Sequence, residues 1–114
     1  MTDHEFLTNL EGCRLPAAAF NHAAHVRLGY LCLREQEFPA ALVRVRGLIK
    51  NYANSIGKGA LYDEAITVAF LELIHECLRI RGDAGGWDAF KEQNPELLRK
   101  DVLRRPSREI FIPS

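Results

Sequence analysis

The chain has no surplus of either charge: fifteen Lys and Arg are matched by fifteen Asp and Glu, for a formal net charge of zero at pH 7. A nucleic-acid binder normally gathers a basic excess on one face, so no nucleic-acid partner is expected. The same balance means weak self-repulsion, and a homodimer would meet little electrostatic resistance. Cysteine is sparse. Cys13, Cys32 and Cys77 are an odd number, widely spaced, with no C-x-x-C pair, which gives neither a disulfide framework nor a thiolate zinc site. Thiols left reduced in this way suit a cytoplasmic protein. No basic start followed by an apolar run resembles a secretory signal, and no apolar stretch approaches the roughly 20 residues needed to span a bilayer. The expected address is the cytosol, with no membrane partner. Strand-like alternation of apolar and polar residues is missing too.

What is there reads as helix. At 114 residues, 47% hydrophobic and 26% charged, the chain can bury an independent core as one domain. The expected fold is all-α: a single helical domain over residues 1–114, a compact helical bundle of about four main helices plus short terminal helices. Thr2 or Asp3 caps an opening helix to about Leu10, ended by Gly12. Asn21 is the N-cap of a second helix, His22 to Glu35, with Phe20 as a hydrophobic lead-in. Pro39 suits the first turn of a third helix, which Gly57 and Gly59 end. The longest helix is predicted from about Ala60 to Arg81, closed by Gly82. A short helix from Trp87 to Gln93 follows, and Asn94-Pro95 starts another to about Leu103. In the tail, Pro106 to Ser114, the apolar residues Ile110, Phe111 and Ile112 form a docking anchor.

Two anomalies on this framework suggest chemistry. On a helical wheel of the longest helix, Glu72, Glu76 and Arg79 make one narrow polar strip, and most of the rest is apolar. Such an arc belongs to a central helix or to one between subunits. Asp63 falls opposite the strip, with Thr67 one turn on. There the carboxylate either serves the helix start or is buried and paired. On the second helix, His22 and His25 are three apart on the face opposite Arg27 and Arg34, above the small residues Gly29 and Cys32. Their rings can approach one target, and the positive end of a helix keeps them neutral near pH 7. Neutral imidazole binds a metal or takes up a proton. The plainer alternative is two core histidines satisfied by backbone carbonyls.

Two histidines and a carboxylate are the donor set of non-haem iron and of several zinc sites. Glu72-Leu-Ile-His75 matches one E-x-x-H element of helical di-iron proteins but lacks its three partners. Gly57-Lys58-Gly59 lacks the strand and spacing of a phosphate loop. Arg99, Lys100, Arg104, Arg105 and Arg108 make the C-terminal region locally basic, as solvated surface commonly is.

The runs Phe20-Asn21-His22-Ala23-Ala24-His25-Val26-Arg27-Leu28 and Tyr62-Asp63-Glu64-Ala65-Ile66-Thr67 resemble a family of small bacterial all-helical proteins of uncharacterised function. Its members carry F-x-H-x-x-H-[LV]-R and Y-H-E-T-[IL]-T in this order. Trp87, Phe90, Asn94-Pro95, Leu97-Leu98 and the aromatic-apolar-proline tail extend the likeness over almost the whole chain. The resemblance implies that His22, His25, Tyr62, Glu64 and Thr67 belong to one site. Asp63 stands where the family has histidine, and Ala65 where it has threonine. As a ligand, aspartate is a harder donor; as a base, it has an ordinary pKa near 3.9 in place of about 6.5.

Together these readings give a small enzyme acting on a small organic molecule in a cavity lined by His22, His25 and Asp63 or Glu64. Tyr62, Thr67, Arg27 and Tyr30 are the candidate substrate contacts. Either one divalent ion (zinc, iron or copper) bound by His22, His25 and Asp63 assists, or acid–base proton transfer does the work. The alternative is a non-catalytic ligand-binding or protein-interaction module.

Overall fold

Each helix start has a local cause. In the computed structural model, which describes residues 1–99, α1 (Asp3–Glu11) opens on a capping box in which Thr2 and Glu5 exchange side-chain and main-chain hydrogen bonds. Helix α2 (His22–Glu35) has Asn21 as N-cap, its side-chain oxygen accepting from the Ala24 amide. Helix α3 (Phe38–Ser55) carries Pro39 in its first turn. Helix α4 (Glu64–Arg81) is closed by Gly82 at φ 80°, left-handed backbone that suits glycine. Helix α5 (Trp87–Gln93) is followed by a 3-10 turn, Pro95–Leu98. Among the described residues there are no strands, as the periodicity predicts. No helix among them is long and apolar enough to cross a membrane.

Two boundaries differ from the sequence reading. The helix expected to be the longest starts at Glu64, not Ala60, and at 18 residues only equals α3: Gly59–Leu61 form a separate 3-10 turn, and the Asp63 carboxylate takes the Ile66 amide as N-cap. Alanine and leucine at 60 and 61 are good helix formers, but a capping aspartate two residues later sets the start. Asp63 thus lies just outside the helix, and its place on a helical wheel has no meaning. The stretch after Pro95 is a 3-10 turn through Leu98; its expected extension to Leu103 and the Ile110-Phe111-Ile112 anchor lie outside the described residues.

The central element is α2, not α4. Leu28, Tyr30 and Cys32 are wholly buried on it, with α3, α4, α5 and the Pro95–Leu98 turn packed around. Helix α4 buries Ala69, Leu71 and Ile74 but leaves Ile66 and Ile80 exposed. Two buried tyrosines fasten loops to this core. Tyr30 donates to the Asp83 carbonyl (2.9 Å), and Tyr52 on α3 to the Leu15 carbonyl (2.6 Å). Buried hydroxyls satisfied in this way fix where the chain re-enters the core.

Candidate functional site

Where α2, α3 and the start of α4 diverge, they leave a cavity of about 340 Å³. That is the lower end of the range for small-molecule pockets. Val45 and Ile49 of α3, Phe70, Leu71 and Ile74 of α4, and Phe20 before α2 give it apolar walls. His22, His25, Tyr62, Asp63 and Thr67 line the same space. The two imidazoles and an acidic residue from another element therefore border one cavity.

Each of these side chains is already tied to the protein through one atom. His22 Nε2 lies 2.9 Å from the Leu97 carbonyl oxygen, and His25 Nδ1 lies 2.9 Å from the Asn21 carbonyl oxygen. A carbonyl oxygen can only accept, so both nitrogens carry hydrogen, leaving His22 Nδ1 and His25 Nε2 as bare acceptors when the rings are neutral. The His25 ring stacks on Phe20, with centroids 4.0 Å apart, and His22 tilts against Phe70 at 5.1 Å. Burial, and secondarily the neighbouring His22, lowers the His25 pKa, while the hydrogen bond to Asn21 opposes that shift. Asp63 uses one carboxylate oxygen to cap α4. Thr67 donates its hydroxyl hydrogen to the Asp63 carbonyl at 3.0 Å.

Glu64 does not line the cavity. It is clamped by Arg46, with Nη2 2.6 Å from Oε2, and accepts from the Tyr62 hydroxyl at 2.6 Å. That hydrogen bonding, from Arg46 first and then Tyr62, holds its carboxyl below the usual range. It borders the site only through Tyr62, so of the five residues that the sequence resemblance groups together, four line the cavity. The candidate contacts Arg27 and Tyr30 lie elsewhere. Arg27 pairs with Asp3 at 2.6 Å and borders a separate hollow of about 310 Å³ beside Trp87 and Lys91. Tyr30 is wholly buried against Phe90. Both sit on faces of α2 turned away from His25.

The expected metal triad does not assemble. Among the described residues, no group of three or more His, Cys, Asp or Glu side chains is placed to hold an ion. Main-chain bonds to His22, His25 and Asp63 fix those side chains at the cavity wall, short of a common point. The small neighbours have other duties as well. A Cβ on Gly29 would come within 2.6 Å of Ile74 Cδ1, so this glycine lets α4 approach α2. Burial pushes the Cys32 thiol up to about 11, which keeps it protonated and inert.

Three contributors were not assigned to the site from sequence. Phe20 is legible as a lead-in to α2 and as the first residue of the F-x-H-x-x-H run, Asn21 as the cap, and nothing marks Leu97 as a site residue, since it acts through its main-chain oxygen. The i, i+4 spacing of Asn21 and His25 was the one available cue.

The geometry defines an all-α protein with an apolar cavity that holds two tautomer-fixed histidines. No protein-family model, curated protein or solved structure matches the chain.

The lowered His25 pKa has a consequence for folding. The unfolded chain binds the His25 proton near pH 6.5, and the folded chain only at lower pH. Between those two values the unfolded state holds more protons, so stability declines as pH falls below 6.5, by up to about 1.4 kcal/mol per unit from this group. Urea unfolding at neutral pH and one unit below 6.5 should show a larger loss in the wild type than in His25→Gln. Equal losses in the two proteins would refute this linkage.

Proposed function

We propose that the chain is a small enzyme acting by proton transfer on a small organic molecule held between α2, α3 and α4, with His25 as the proton acceptor. The observation that carries this reading is the state of the His25 ring. The Asn21 carbonyl holds its Nδ1 hydrogen, Phe20 supports its face, and the lowered pKa leaves Nε2 a bare base at neutral pH. In the step, a bond from hydrogen to a substrate atom breaks, its electron pair stays on that atom, and the proton moves to Nε2. The metal-assisted version is the weaker one, because the donors do not gather.

A second reading, a ligand-binding or interaction module without catalysis, draws on the rim. Leu61 is 75% exposed and Ile66 46% exposed, both at the cavity wall, and together they make an apolar lip.

The enzyme and ligand-binding readings require that small molecules enter. A screen of small aromatic fragments against isotope-labelled protein should give NMR shifts concentrated on His25, Thr67 and Ile74. Shifts scattered over the surface, with none at these three, would remove the cavity from consideration.

A further inference from the structure

Hydrogen-bond accounting at the cavity narrows the ligand further. The side chains that line it have committed their donors to protein atoms: His22 to the Leu97 carbonyl, His25 to the Asn21 carbonyl, Tyr62 to Glu64, and Thr67 to the Asp63 carbonyl. What remains for a ligand is the lone pairs of the two histidines and the second carboxylate oxygen of Asp63, the Tyr62 hydroxyl oxygen being already engaged with Arg46 and Thr67. The one side-chain donor left on the wall is the amide nitrogen of Asn21, whose oxygen caps α2. No lysine or arginine lines the cavity. Arg46 is held by Glu64, and Lys50 lies over the Tyr62 ring at 5.2 Å.

We propose that the cavity binds a primary amine with a compact apolar body, taken up as the ammonium ion. This rests on the reading of the cavity as a small-molecule site. An ammonium group brings three N–H donors and no acceptor, the complement of the set on the wall. A carboxylate brings only acceptors and would leave the histidines and Asp63 facing more lone pairs, the costly arrangement in a site of low polarity. The apolar wall takes the rest of the molecule, and the Phe70 ring is available for a cation–π contact.

The starts of α2 and α4 both flank the cavity, and each contributes about half a positive charge, which favours an anion. Against them stands the full negative charge of Asp63, seated on the first turn of α4. These fields nearly cancel, so the donor–acceptor inventory decides.

The test compares three molecules of similar shape near neutral pH: 2-phenylethylamine, 2-phenylethanol and 3-phenylpropanoate, each titrated against the full chain by NMR. The amine should bind at least tenfold tighter than the carboxylate, with the alcohol between. Asp63→Asn keeps the cap, since asparagine caps a helix as well as aspartate, so its melting temperature should hold while the amine's advantage over the alcohol disappears. Tightest binding by the carboxylate, or an amine preference untouched in Asp63→Asn, overturns the amine proposal and leaves the cavity reading in place. Failure of all three to shift His25, Thr67 or Ile74 overturns both.

Discussion

Phe90→Ala is expected to remove about 3–5 kcal/mol of folding stability, the range for truncating a buried aromatic. Phe90 is wholly buried and stacks on Tyr30 of the central helix, with ring centroids 4.4 Å apart. Helix α5 spans seven residues, too short to persist without the surface it packs on. The loss would also reach the candidate site by a traceable route. Asn94, fully buried, donates from its side chain to the Phe90 carbonyl at 2.9 Å, and its oxygen accepts from Arg81 at 2.6 Å. These bonds seat the Pro95–Leu98 turn, whose Leu97 carbonyl fixes the His22 tautomer. Thermal unfolding followed by circular dichroism should show a drop of at least about 10 °C. Side-chain NMR of the histidines should show His22, and not His25, losing its single-tautomer signature. A loss of stability below about 1 kcal/mol would mean that α5 is peripheral and that His22 is held by something else.

Most of the fold was legible because its signals are local. Asn21 before His22 and a run ending at Glu35 gave α2 its true limits, and Gly82 gave α4 its end. The start of α4 was misread because Ala60 and Leu61 have helical propensity, while the outcome depended on which of several residues captured the first free amide. The site was half legible. Two histidines three apart on one helix face, and an acidic residue at the start of another, can be found by counting. Their convergence follows from the packing of α2 on α4 that Gly29 allows, a close approach that a small residue in a sequence does not announce by itself. Arg27 and Tyr30 share a helix with His25, but at about 100° per residue their positions turn them to other faces. The tautomer of His22 was out of reach, because its partner is a main-chain oxygen 75 positions away.

His25→Ala is expected to cost about a hundredfold in rate on a generic carbon acid, the lower end of what a positioned base supplies. The probe is 5-nitrobenzisoxazole, whose ring opens when a base removes its carbon-bound proton, with an absorbance change. Neutral imidazole is the reactive form, so the rate should be level above pH 6.5 and fall only on its acid side, because burial lowers the His25 pKa. The loss of that rate in His25→Ala separates a base in the cavity from the exposed His4 and His75, which the substitution leaves in place. His25→Gln should match His25→Ala in rate while still binding the phenylethyl series, since glutamine cannot take up the proton but keeps an acceptor oxygen on the same wall. A wild-type rate no faster than free imidazole at equal concentration, or a variant that keeps the rate, would leave the cavity as a binding site with no base in it. Loss of both rate and fragment binding in His25→Gln would instead mean that the ring shapes the cavity, and the acceptor role would have to pass to His22.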